Sequence, residues 1–190
     1  MQFFLLRYES LHGRNDDELL GGLADDQVRQ RPLPGVNSIA WLLWHMTRCE
    51  DIGVNRLVAD RPQVLLDGDW PARLKVSLTD IGTGMADDEV TDFSARVDLD
   101  GLRAYRAAVG RRTLEVVHRL RPEDLDQVLD PAHARRVVEE GALGANAGWV
   151  EDKWRGVTKG WCLAQLGLTH NFTHFGEAFR MRGLLGSRRR

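Results

Sequence analysis

No stretch of this 190-residue chain approaches the ~20 consecutive apolar residues of a bilayer-crossing helix. The opening Phe3-Phe4-Leu5-Leu6 run gives way at once to Arg7 and Glu9, too soon for the apolar core of a secretory signal. Cysteine is scarce. Cys49 and Cys162 lie far apart and are too few for a disulfide framework. These absences set the expectation of a cytoplasmic protein with no membrane partner. A basic excess is missing too. The net charge is −2 and the pI about 6.3, which argues against nucleic acid as a partner. The closing Ser187-Arg188-Arg189-Arg190 run reads as a solvated tail. Glycine and proline, at 19 and 6, exclude collagen-like and proline-rich designs. No phosphate-cradling GxGxxG or P-loop occurs, nor a GxSxG nucleophile turn.

What is present is helical periodicity on an ordinary globular composition, 43% hydrophobic and 28% charged. The length suits one domain, taken as residues 1–190. A first segment, Gln2 to Leu23, carries Leu5, Tyr8, Leu11, Leu19, Leu20 and Leu23 at mostly helical spacing, interrupted by Gly13. A second runs from an expected Asn37 cap to about Ala59. A third spans Leu99 to Leu120 behind an Asp98 cap and stops at Pro122. A fourth runs from Thr158 to Arg182 and is expected to stop at Gly183. Two long connections separate them, Pro62 to Val97 and Arg121 to Val157. Short helices are expected in these near Ala72–Ser77 and Ala132–Glu140. Four helices with long crossings predict an all-α four-helix bundle.

The chemistry lies in histidine. His170 and His174 stand at i, i+4 in the fourth segment, one turn apart and about 40° around the axis, so both imidazoles can reach one metal ion. Two hydrogen-bonded surface histidines are the plainer alternative. His45 sits in the most apolar segment, within Trp41-Leu42-Leu43-Trp44-His45-Met46, and needs a partner there. On a helical wheel Leu163, His174, Glu177 and Met181 lie near His170. Trp161, Leu168, Phe172, Phe175 and Phe179 lie nearly opposite, so a core face and a histidine-bearing cleft face are expected. The glutamate after the first histidine of HExxH is missing, which excludes that metalloprotease motif. Missing Glu-x-x-His pairs disfavour a carboxylate di-iron bundle. His12, His118 and His133 have no partner spacing and are expected at the surface.

The stretch Asn37-Ser38-Ile39-Ala40-Trp41-Leu42-Leu43-Trp44-His45-Met46-Thr47-Arg48-Cys49-Glu50-Asp51 resembles the second helix of the DinB-like (DinB/YfiT) superfamily. Leu168-Thr169-His170-Asn171-Phe172-Thr173-His174-Phe175-Gly176-Glu177-Ala178 resembles its fourth. The resemblance covers nearly the whole chain. It implies an up-up-down-down bundle and a divalent metal held by His45, His170 and His174 at an open cleft. Members of that family with known activity include thiol-dependent S-transferases that use bacillithiol, mycothiol or glutathione, and a mycothiol-dependent maleylpyruvate isomerase, while many members have no known substrate. Three neutral imidazoles leave a divalent ion its full charge and an open position. Such an ion brings a bound thiol toward its reactive thiolate. Imidazole suits Zn, Ni, Fe or Cu, Mn is a further candidate, and availability makes zinc the default.

Cys49, one turn from His45, is a candidate fourth ligand, and Glu177 a candidate hydrogen-bond acceptor behind an imidazole. The expected function is therefore a metal-dependent thiol S-transferase acting on a small electrophile. The alternative is a non-catalytic metal-binding or stress-response bundle, with Cys49 closing the metal's shell. Apolar residues on opposite faces of the second and fourth helices exceed what one core stripe needs, and a homodimer is expected to cover the surplus.

Overall fold

The computed structural model describes residues 2–187. The Arg188-Arg189-Arg190 end of the expected tail lies outside the described residues. Nine helices longer than one 3-10 turn are found among the described residues: α1 (2–20), α2 (Asp25–Arg29), α3 (39–58), α4 (Trp70–Leu74), α5 (Asp87–Arg96), α6 (Leu99–Arg119), α7 (131–142), α8 (Trp149–Asp152) and α9 (159–187); single 3-10 turns lie at Val64–Leu66 and Pro122–Asp124. No strand occurs among them; Val128 and Thr158 make one isolated antiparallel bridge. The protein is all-α, with α1, α3, α6 and α9 as its long helices.

Contacts along these four fix their directions. From α3 to α6, Arg48 meets Tyr105 and Glu50 meets Thr113, so the two run in parallel. From α1 to α6, Tyr8 meets Gly110 and Asp16 meets Arg106, which is antiparallel. Phe4 packs on Gly167 and Leu19 accepts from Arg182, so α1 and α9 run together. The parallel pair joined by a long crossing is thus α3 and α6. The order is therefore up-down-down-up, whereas up-up-down-down would pair the first helix with the second and the third with the fourth.

The caps explain where the helices begin. Asp98 accepts from Gly101 N at 2.9 Å, as expected. For α3 the cap is Ser38, not Asn37: the Ser38 hydroxyl accepts from Trp41 N at 3.0 Å and is also bonded to Ser94. Thr158 caps α9. That helix continues through Gly183 to Ser187, because a helical glycine costs only about 1 kcal/mol and does not by itself end a helix. Likewise Gly13 does not break α1 but sits in a wider turn, Leu11–Asn15.

Wide turns of this kind also occupy Asp51–Val58 and Gln165–Thr169, where α3 and α9 cross. Gly53 permits the crossing, since a Cβ there would lie 2.4 Å from Leu166 Cδ1. The wide turn in α9 corrects the helical wheel. It rotates the C-terminal part of the helix relative to the N-terminal part, so Trp161 is not aligned with Phe175. The buried face runs through Asn171, Phe175, Ala178, Met181 and Leu185, while Trp161 is 41% exposed.

Every residue of Ile39–Glu50 is buried. The surplus apolar surface of this helix is covered within the chain. Val64, Leu65, Leu74, Ile81, Val90, Phe93 and Val97, all from the first long connection, are buried, most of them in one cluster with α3. That removes the reason for a dimer on this helix. Helix α5 in that connection was not expected. Its start is polar, with Asp87, Asp88 and Glu89 in the first turn and Glu89 reaching back to Ala86 N at 2.7 Å.

Candidate metal centre

His45 lies in the middle of α3, and His170 comes directly after the wide turn of α9, with His174 one turn on. Because the two helices are antiparallel and cross nearby, the three rings meet. The His45 ring centroid is 4.9 Å from that of His170 and 4.8 Å from that of His174, and the latter two are 4.5 Å apart. Trp41 stacks on His45 at 4.8 Å and closes one side. The His174 and Glu177 side chains are 21% and 34% exposed, so the cluster opens to solvent on their side.

Hydrogen bonds set the tautomers. His45 Nδ1–H donates to the Ile81 carbonyl at 2.6 Å, leaving Nε2 with its lone pair. His174 Nδ1–H donates to Glu177 Oε2 at 2.9 Å, again leaving Nε2 free. Glu177 thus holds the position behind an imidazole expected of it, and its hydrogen bond to His174 keeps its carboxyl below the usual range. With Nδ1 of His45 committed to Ile81, His170 Nε2–H donates to His45 Nε2 at 3.2 Å, and His170 Nδ1 is buried without a partner. Burial holds the His45 imidazole neutral, pushed down to about 4. Burial and the two neighbouring histidines push His170 to about 2. Neutral His45 and His170 rings whose Nε2 atoms approach each other, with the His174 ring beside them, are what a divalent cation requires of imidazole donors, so the residues fit such an ion.

Cys49 Sγ comes within 4.8 Å of the donors of His45 and His170. Its placement nonetheless speaks against ligation. Sγ is 3.9 Å from Nδ1 and 3.9 Å from Nε2 of His45, so it lies in the plane that bisects the ring between them. An ion about 2.1 Å out along the Nε2 lone pair would be at least about 4 Å from that sulfur, against about 2.3 Å for a zinc–thiolate bond. The thiol is buried, which pushes it up to about 12.

Two of the three remaining histidines are not surface residues. His133 is buried and donates from Nε2 to the Arg56 carbonyl at 2.8 Å. His12 donates from Nε2 to Glu50 Oε2 at 2.9 Å. His118 is exposed as expected. The Glu50 carboxylate is wholly buried and also accepts from Tyr8, from Thr113 at 2.8 Å and from Asn171 at 3.3 Å. Burial pushes this carboxyl up, but His12, Arg106 and Tyr8 outweigh it and hold it below the usual range. Asn171 adjoins His170, so this network anchors the helix that carries two of the rings.

Replacing Glu177 with glutamine should weaken divalent-metal affinity about 10–100-fold, since a neutral acceptor makes His174 a poorer donor. Competition with a chromophoric chelator measures this, and an unchanged affinity would show that Glu177 is only a solvated charge.

Comparison with known proteins agrees with the architecture. A crystal structure described as the conserved protein of locus from Enterococcus faecalis superposes with a TM-score of 0.71. The match covers 98% of this chain and 96% of that one at 20% identity, a likeness of fold. No curated protein matches the sequence. The family model of the DinB superfamily matches residues 12–178, a span that contains all three rings, and the chain belongs to the DinB superfamily.

Proposed function

We propose that the protein holds a divalent metal ion, zinc by default and Ni, Fe or Mn as alternatives, through Nε2 of His45, His170 and His174. We propose further that it is a metal-dependent thiol S-transferase joining a low-molecular-weight thiol such as mycothiol or bacillithiol to a small electrophile. The observation that carries the metal reading is the approach of two imidazole Nε2 atoms to 3.2 Å, with Nδ1 of His45 already committed to Ile81. In the metal-free protein a proton joins the two nitrogens, and a divalent cation held by both would take its place.

When bound, such an ion supplies Lewis acidity that eases loss of a thiol proton. The chain's own residues do the rest. Ile81 and Glu177 orient two rings. Trp41 shields the His45 face, and the half-exposed edge at His174 and Glu177 is where substrate enters. The off-axis position of Cys49 supports an open coordination position over a closed shell, and so favours catalysis over a purely binding role. A homodimer remains part of the proposal. It now rests on Phe3 and Leu6, exposed at 74% and 67% on one end of α1. A light-scattering mass of 21.5 kDa at high concentration would refute it.

Elemental analysis of purified wild type beside His45→Ala and His174→Ala tests the metal site. Stoichiometric metal in the wild type and strong depletion in both variants is expected; equal content in all three refutes the assignment. Metal-loaded protein incubated with mycothiol, bacillithiol or glutathione and a generic electrophile tests the activity. No rate above background with any thiol would leave a metal-binding bundle without catalysis.

A further inference from the structure

Arg48 lies three residues after His45 on α3, on the same side of the helix, and its side chain is wholly buried. All five of its N–H donors are used. Nη1 donates to Asp51 Oδ2 at 3.1 Å and to Tyr105 Oη at 2.9 Å. Nη2 donates to Gln63 Oε1 and to the Thr79 carbonyl, both at 2.5 Å, and Nε donates to the same carbonyl at 3.1 Å. A buried guanidinium spending two donors on one backbone oxygen fixes the segment that carries it. That segment leads directly to the metal centre. Two residues after Thr79, the Ile81 carbonyl accepts from His45 Nδ1–H. Between them Asp80 Oδ1 accepts from Gly82 N at 2.5 Å, and Ile81 N donates to Ala142 O at 3.2 Å. The 79–82 turn is thus tied down at one end by Arg48 and clasps His45 at the other.

We propose that Arg48 is a positioning residue of the metal centre. By pinning the Thr79 carbonyl it holds the Ile81 carbonyl on His45 Nδ1, and so keeps His45 in the tautomer whose Nε2 is free for a metal. This rests on the metal reading above. Its first readout does not need a metal. Lysine cannot replace the fork, because one ammonium cannot reach Asp51, Tyr105 and Thr79 together, yet it keeps the charge opposite Asp51. Gln63→Met is the control: it removes a partner of the same guanidinium without touching the Thr79 bonds.

In metal-free protein at pH 7.5, the imidazole nitrogen shifts of His45 report its tautomer. Wild type and Gln63→Met should show a single Nδ1–H form, and Arg48→Lys a mixture of both. In the metal titration, Arg48→Lys should bind Zn²⁺ or Co²⁺ about 10–100-fold more weakly, as for other groups that orient metal-ligating imidazoles, and Gln63→Met within about twofold of wild type. A single Nδ1–H tautomer in Arg48→Lys would overturn the proposal, as would equal losses of affinity in the two variants. If wild type binds no metal, the metal reading fails while the tautomer result still decides the role of Arg48. Should Arg48→Lys not fold, the wild type decides: the Arg48 Nε–H must be protected from solvent exchange as strongly as core amides, and rapid exchange would overturn the pinning.

Discussion

Replacing Glu50 with leucine is expected to lower the unfolding free energy by roughly 3–5 kcal/mol, the usual cost of removing one member of a buried charged network. Glu50 has no solvent exposure and receives hydrogen bonds from four side chains, on α1, α6 and α9. Leucine would leave the Thr113 hydroxyl, the His12 ring and one Asn171 amide proton facing hydrocarbon, and each orphaned donor carries its own desolvation cost. Glutamine keeps one acceptor oxygen and should lose less. Domains of this kind are stable by about 5–15 kcal/mol in all, so Glu50→Leu approaches collapse. Urea unfolding monitored by circular dichroism measures the difference, and a loss under about 1 kcal/mol would show that the network is incidental.

The second large effect is on pH. In metal-free protein, burial holds His45 near 4 and His170 near 2, whereas an unfolded histidine titrates near 6.5. Above about pH 6.5 both states carry neutral rings and nothing is lost. As pH falls below it, the unfolded chain takes up protons that the folded protein refuses, and stability declines until the folded pKa is reached. The slope is about 1.4 kcal/mol per pH unit for each such histidine. The decline from pH 6.5 to about 4 begins well above the range in which Glu50 and Glu177, held below the usual carboxylate value, can contribute. Urea midpoints of chelator-treated protein at pH 7, 6 and 5 should fall steeply, and His170→Gln should flatten the slope by about half. A pH-independent midpoint across that span would mean the rings are hydrated and not buried as described.

Much of the fold and of the candidate metal centre was legible in the sequence. The Asp98 cap and the starts of the third and fourth helices come from local signals with a direct backbone consequence. The i, i+4 arithmetic joined His170 to His174, and the oddity of a histidine among Trp41, Leu42, Leu43 and Trp44 asked for a partner; that the partner is the His170–His174 pair was implied by the DinB-like resemblance. The features that stayed hidden depend on partners distant in the chain. His12 looks like a surface residue until Glu50, 38 residues on, is placed beside it. Arg48, Glu50 and Asp51 are charges on an otherwise apolar helix, and that contrast was the available signal for a buried polar network. The wide turn at Gln165–Thr169 leaves no compositional mark, so a wheel drawn at a constant angle set Trp161 on the wrong side. Helix α5 was missed because Val90 and Phe93 alone make too short an apolar period.

The Glu50 network also bears on how the chain assembles. Its partners stand 42, 38, 63 and 121 residues away in sequence. A hairpin of α1 and α3 supplies Tyr8 and His12 only, and α3 with α6 supplies Thr113 only. Any such partial assembly must either keep the carboxylate wet, which holds the helices apart, or bury it half-satisfied. Helical bundles usually fold fast because their contacts are local; here most of the reward arrives only when α1, α3 and α6 have met, and the Asn171 bond is added when α9 docks. The folding barrier should therefore fall late, after α1, α3 and α6 have closed around Glu50, and with no stable two-helix intermediate on the way.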